Sequence, residues 1–375
     1  MPPHSIHGRY RFPFNGPLCL LFVALLTYIL ANTGPLQGAA FDSADQPTAG
    51  SPLKLLRITP SGDDVPPGQE IVFQFDRPVV PLGRMERKGS EIPIAISPAL
   101  NCQWRWLSPS ALACRLDKKD KLRAATRYSI EVSPGIKAED GATLPAKVTH
   151  SFVTERPKVS YTSFKVWQAP GQPLISIHLN QAVDEASVSK CFHFLTADGA
   201  RTDVQVSEDP DLQQSKDYKK GFTWLLTPRT ALPLDRGVQL QVEPGLAPMQ
   251  GGEASVERRS VLAFHTFPEF RFLGVECQDG EGKTISIRTG GNLAQQPRCA
   301  SPWGVSLLFS SPVSKEEVQK SIVVEPPPRR KTEEDPWENV YTDSRLSEPH
   351  QKTDTYQVQI PESFILPFTP YRLRA

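Results

Sequence analysis

The sequence predicts an all-β chain of tandem two-layer sandwiches. Three observations carry this. Apolar residues alternate with polar ones over short runs, prolines punctuate the chain throughout, and one strand-and-turn pattern returns at domain-sized intervals. There are 37 prolines and 24 glycines in 375 residues. Proline fixes φ and removes a backbone donor, so it interrupts both helices and central strands and favours short strands between turns. At roughly 150 residues per domain, the length corresponds to two or three domains. Pairing two sheets buries alternating apolar faces that a single open sheet would leave in water.

Charge excludes one class of partner. Lys and Arg total 42 and Asp and Glu total 41, a formal net charge of +1. That balance lacks the basic footprint of a nucleic-acid surface and the excess charge of a disordered chain, so no nucleic-acid partner is expected.

At the N-terminus, Arg9 and Arg11 precede the apolar run 18–26, continued by Tyr28, Ile29, Leu30 and Ala31. Basic residues ahead of about 13 apolar ones read as an export signal, shorter than the roughly 20 a membrane span needs. Residues 1–40 are therefore expected to form a short hydrophobic helix. It serves either as a signal peptide cleaved among Gly38, Ala39 and Ala40 or as a signal anchor; a buried cytosolic helix is the bland alternative. Cys19 opens the apolar run rather than following it, which gives no support to lipid attachment. Residues 41–52 read as a linker.

The first sandwich is expected over 53–155. Ile71, Phe73 and Phe75 alternate ahead of Pro78-Val79, Leu107-Ser108-Pro109 follows, and Tyr128, Ile130 and Val132 alternate into the Pro134-Gly135 turn. The second, over 157–267, repeats these features. Leu174 to Val183 leads, Trp224-Leu225-Leu226-Thr227-Pro228 follows, and Val238, Leu240 and Val242 run into Pro244-Gly245. Exit strands containing Phe152-Val153-Thr154 and Phe264-His265-Thr266 precede Pro157 and Pro268, which mark boundaries. The third sandwich, 269–375, opens with Val305-Ser306-Leu307-Leu308-Phe309 before Pro312-Val313. Residues 326–336 read as an exposed insertion within it. Residues 367–375 match the approach to Tyr128 and Val238, and no Pro-Gly turn or exit strand follows. The third sandwich is accordingly expected to be truncated; the alternative is a divergent complete sandwich whose last strand is 371–375.

Five cysteines follow the leader. In an oxidising compartment the local pairs Cys102–Cys114 and Cys277–Cys299 are the plausible disulfides, leaving Cys191 unpaired, as an apolar filler beside Phe192 and Phe194 or as a reactive thiol. No CxxC pair or local Cys/His group has zinc-ligand spacing, so no metal site is expected. Catalytic motifs are also missing: there is no His-Glu-x-x-His, no Gly-x-Ser-x-Gly and no phosphate-binding glycine loop. His178 and His193 are a histidine pair that could approach in space, and separate strand positions favour local packing or hydrogen bonding for both. The chain is expected not to be an enzyme and to use no cofactor. Trp104, Trp106, Trp167, Trp224 and Trp303 are candidates for cores or domain junctions, or for an exposed binding platform if several share a face.

Three features together resemble the N-terminal region of bacterial alpha-2-macroglobulins: the leader, the string from Tyr128 through Pro134-Gly135-Ile136-Lys137-Ala138-Glu139-Asp140-Gly141, and Leu179-Asn180-Gln181-Ala182-Val183-Asp184. Those are large envelope endopeptidase inhibitors built from Ig-like macroglobulin sandwiches, and the resemblance extends over approximately 53–375. It implies a location in the periplasm or cell envelope, with an inner-membrane tether if the leader is retained. It also implies downstream macroglobulin domains as neighbours, and target proteases engaged only through a longer chain. The family's Gly-Cys-x-Glu-Gln thioester is not matched: Cys277 precedes Gln278-Asp279-Gly280, so no thioester role is assigned. Nor is a bait site transferred to 326–336. The expected function is a non-catalytic scaffold lacking bait and thioester regions. The alternatives are an exported Ig-like adhesin or envelope-binding module, whose turn patterns overlap with these, and an inactive structural remnant.

Overall fold

The computed structural model of the chain describes residues 50–80, 86–117, 119–289, 295, 297–300, 304–327, 337–362, 369 and 371–374. The expected leader helix, nearly all of the linker, Trp303 and residues 328–336 of the expected insertion lie outside the described residues. Pro52–Ala375 form one compact unit. Among the described residues no helix is long and apolar enough to cross a membrane.

The first part of that unit holds β1 (Leu55–Thr59), β2 (Gly62–Val65), β3 (Glu70–Phe75), β4 (Glu86–Arg87), β5 (Ile94–Ser97), β6 (Gln103–Ser108), β7 (Ala111–Arg115), β8 (Arg127–Val132) and β9 (Val148–Thr154). Strict alternation makes these strands. In β8 every second residue, Tyr128, Ile130 and Val132, is buried while its neighbours face water. One sheet has the order β1-β3-β7-β6-β4 and the other β2-β9-β8-β5. Phe73, Phe75, Tyr128, Ile130 and Phe152 meet between them in one core.

The second part contains β10 (Val159–Ala169), β11 (Gln172–Leu179), helix α1 (Glu185–Cys191), β12 (Phe192–Thr196), β13 (Arg201–Ser207), the single helical turn α2 (Pro210–Gln213), β14 (Thr223–Pro228), β15 (Gly237–Val242) and β16 (Arg259–His265). Its seven strands follow the order β10-β11-β14-β13-β12-β15-β16. Strand β13 turns the corner: Arg201, Thr202 and Asp203 pair with β12, whereas residues 204–207 pair with β14. A strand that changes partner part-way along makes one continuous ladder serve two packed layers. The core, including Ile175, Ile177, Phe194, Leu226 and Leu240, lies between them.

The third part comprises β17 (Phe272–Gln278), β18 (Thr284–Arg288), β19 (Val305–Phe309), helix α3 (Lys315–Ser321), β20 (Val323–Glu325), β21 (Tyr341–Thr342), β22 (Tyr356–Ile360) and β23 (Arg372–Arg374). The sheets run β18-β17-β19-β22-β21 and β20-β23. Aligned by order, β10-β11-β14-β13 repeats β1-β3-β7-β6, and β17-β19-β22-β21 repeats both. The opposing sets are β5-β8-β9, β12-β15-β16 and β20-β23. Among the described residues the third set has no equivalent of β9 or β16.

Two seven-residue helices, α1 and α3, interrupt the succession of strands. Asp184 caps α1, its Oδ1 accepting the Ser187 N–H at 2.7 Å. Ser314 and Glu317 form a reciprocal capping box on α3. Each helix follows the strand equivalent to β3, β11 or β19, and buries one valine, Val188 or Val318, against the core, α1 adding Cys191.

Two disulfides are present, Cys102–Cys114 and Cys277–Cys299, separated by 12 and 22 residues. Closing loops of that size removes about 3 kcal/mol of unfolded-chain entropy each. Replacing Cys102 and Cys114 together by alanine is expected to lower the stability of the first sandwich by about 3 kcal/mol in urea denaturation.

Candidate functional site at the two junctions

The exit strands end in the same device. Thr154, fully buried, is the last residue of β9; its Oγ1 donates to Arg123 O at 2.6 Å and accepts the Thr126 N–H at 2.9 Å. Thr266 repeats this after β16, donating to Pro233 O at 2.7 Å and accepting the Arg236 N–H at 2.9 Å. In each case the Thr backbone N–H also donates to the carbonyl of Thr126 or Arg236. One hydroxyl therefore satisfies two backbone groups of the loop that leads into the neighbouring strand, β8 or β15. The chain leaves both sandwiches in a fixed direction.

The first junction is built from charge and backbone. Arg156, 7% exposed, lies two residues past the end of the exit strand. Its backbone N–H and Nη1 bond the two oxygens of Asp64 at 3.0 Å each, and Nη2 lies 3.3 Å from Asp63 and 3.5 Å from Glu253. Burial works against its charge, yet Asp63 and Asp64 hold the guanidinium above its ordinary pKa. Glu253 also takes a two-pronged bond from Arg127, at 2.9 and 3.1 Å. The turn carrying it donates the Gly252 and Glu253 N–H groups to Ala125 O. Gly251 permits that approach: its φ is +99°, and a Cβ there would sit 2.5 Å from Ala125 O. Gln181 Nε2 completes the contact by donating to Glu155 O at 2.9 Å.

The second junction is aromatic. Phe267 packs on Trp167, with ring centroids 4.7 Å apart, on His350 at 4.7 Å and on Tyr356 at 5.8 Å. Tyr356 begins β22 of the third sandwich but belongs to the core of the second. Among the described residues, hydrogen bonds cross here from Trp167 N–H to Leu346 O, Trp167 Nε1 to Glu348 O, and His265 N–H to His350 O, at 2.8, 3.0 and 2.8 Å. Arg345 lies over the Tyr356 ring at 4.9 Å and is paired with Asp343.

The remaining sequence-derived candidates fall elsewhere. Cys191 is a free, buried thiol whose Sγ lies 3.9 Å from Pro244 O, and burial pushes its pKa up, away from the reactive thiolate. His178 and His193 do not converge. His178 bonds Thr223 Oγ1 at 2.8 Å and stacks under Tyr161 on the outer face of β11, whereas His193 is buried on β12, with desolvation and then Arg201 lowering its pKa. Trp104, Trp106, Trp167 and Trp224 are all buried; Trp167 alone among them donates across a junction. Pro157 marks the boundary in the sequence without pointing to Arg156, and Glu253, His350 and Tyr356 carry no signal there at all.

Among the described residues no cluster of three His, Cys, Asp or Glu side chains is placed to hold a metal. Beside Cys277, a depression of about 130 Å³ is lined by Glu276, Gln278, Thr284, Gly304, Ser306 and Gln359. It is below the roughly 300 Å³ at which ligand pockets begin.

No family model matches the chain, and no curated protein matches it. Solved structures overlap it in part. They include alpha-2-macroglobulin from Escherichia coli spanning domains MG0-NIE-MG1, at 12% identity over 70% of this chain and 94% of that one, TM-score 0.22. The N-terminal part of the bacterial S-layer protein SbsC matches at 15% identity over 41% of this chain, TM-score 0.21, and the overlap spans 40% of that structure's length. An L,D-transpeptidase from Mycobacterium smegmatis matches at 14% identity over 51% of this chain and 76% of that one, TM-score 0.20. Scores of this size carry no argument about function.

The repeated exit device makes a sharp prediction. Thr154→Val and Thr266→Val keep the volume and remove the hydroxyl, leaving buried backbone groups unpaired. Each is expected to cost about 1–3 kcal/mol in chemical denaturation, with the Ser variants close to wild type.

Proposed function

We propose that the chain is the non-catalytic N-terminal scaffold of an exported, envelope-located endopeptidase inhibitor of the alpha-2-macroglobulin type. The observation that supports this most is the pair of junctions. Each fixes one sandwich on the next through backbone bonds and buried side chains, as a scaffold that transmits position along a chain requires. The buried ionisable groups Arg77, Arg156 and His350 bond across loops and junctions in keeping with that role. Two internal disulfides suit an oxidising compartment. In this reading residues 1–40 export or anchor the chain, further macroglobulin domains are its neighbours, and target proteases are met only through a longer chain.

One feature favours the alternative of an exported adhesive or envelope-binding module. Tyr161, 60% exposed, stacks on His178 at 4.8 Å, and Phe222 lies 6.4 Å beyond. Three rings on the outer face of the second sandwich are the kind of platform that binds sugar or protein.

The test starts from the protein isolated from the envelope with antibodies to residues 53–155. Its mass is measured, and trypsin retention is followed by gel filtration. The scaffold reading predicts a product well above 41.6 kDa that retains the protease, while residues 53–375 alone retain none. Retention by neither, together with loss of envelope binding in Tyr161→Ala, overturns it in favour of the adhesive module.

A further inference from the structure

We propose that the junction between the second and third sandwiches is a pH-operated latch, closed while the His350 ring is neutral and released when that ring takes up a proton. The proposal stands on where the ring lies and does not depend on which partner the chain serves. His350 is 2% exposed. Its carbonyl accepts the N–H of His265 from β16, its ring packs on Phe267 of the connecting segment, and Nδ1 lies 2.9 Å from the hydroxyl of Tyr356 in β22. Parting the two sandwiches moves this ring from a dry contact into water.

The groups facing it do not supply a full counter-charge. From its own loop, Asp354 Oδ2 lies 3.7 Å from Nδ1. From the second sandwich comes His265, with ring centroids 6.1 Å apart, and behind it Asp235, 3.9 Å from His265 Nε2. From the segment ahead of β22 comes Arg345, a fixed positive charge already bound to Asp343. Two carboxylates attract a proton to His350, and Arg345 and His265 repel it. Burial outweighs the attraction and sets its proton affinity below that of a free histidine. The Tyr356 hydroxyl is driven the other way, first by burial and then by Asp354, so it stays protonated and cannot become an anionic partner.

A histidine whose pKa is lowered in the closed form binds its proton more readily in the open one. Closure is therefore complete above the ordinary histidine pKa and is lost as pH falls from that value toward the lowered one. Within that window each pH unit favours opening by up to about tenfold. The first junction is an internal control, since arginines and carboxylates build it and none of the histidines among the described residues takes part.

Hydrogen exchange on the full chain reads both junctions at once, after correction for the intrinsic pH dependence of exchange. The amides of Trp167 and His265 cross the second junction and those of Gly252 and Glu253 the first. Between pH 7.5 and 5.5 the first pair is expected to lose protection by up to about tenfold per unit, while the second pair holds. His350→Gln, which stays neutral, should abolish the loss, and His265→Gln should keep it. Should His350→Gln leave the Trp167 and His265 amides unprotected even at pH 7.5, the ring of wild-type His350 is titrated directly by NMR, and a value below that of free histidine sustains the latch. Constant protection in the wild type, an undiminished loss in a closed His350→Gln, abolition by His265→Gln, or a His350 ring titrating as a free histidine would each overturn it.

Discussion

The second sandwich cannot close its own end. Trp167 on β10 and Phe267 after β16 converge at its edge, and what covers them is Tyr356 together with the loop carrying Glu348 and His350, all from the next repeat. Burying a large aromatic side chain stabilises by roughly 1.5–3 kcal/mol, so the stability of one sandwich includes a contribution made by its neighbour. That dependence ties the fold to the function proposed for it: a scaffold has to hold relative position, and here position and core burial are the same contact.

The two junctions solve one problem with different chemistry. Both begin at a buried threonine that fixes the direction in which the chain leaves the sheet. The first then uses Arg156, Arg127, Asp63, Asp64 and Glu253, whose carboxylates are half in water and whose mutual attraction is screened by salt. The second uses rings and a buried histidine, whose contact depends on desolvation. An array built this way responds to ionic strength at one joint and to acidity at the other, with the same strand order on either side.

Much of the strand framework was legible because one buried face imposes a period of two. Ile71, Phe73 and Phe75, and again Tyr128, Ile130 and Val132, have no other reason to alternate. The corner in β13 was not legible, since Val204 and Val206 continue the alternation and nothing marks the change of partner at Asp203. Helices α1 and α3 were missed for another reason. Asp184 and the Ser314-x-x-Glu317 box signalled both starts, but seven residues that bury only Val188 and Cys191, or Val318 alone, are too few to establish a helical period. The recurrence of Phe-x-Thr in the exit strands was visible; the task of the threonine was not, because its partners Thr126 and Arg236 lie 28 and 30 residues away. Junction residues were least legible of all, as Asp64 and Arg156 meet across 92 positions.

The claim that the second sandwich is completed by its neighbour is tested most directly by its stability alone. Urea unfolding of residues 157–267 is compared with unfolding of the same sandwich within residues 53–375, followed through the amides of Ile177 and Leu240. The isolated sandwich is expected to be weaker by about 3 kcal/mol or more, the cost of returning Trp167 and Phe267 to water. Equal stability in the two settings would contradict the account and make the junction a surface contact only.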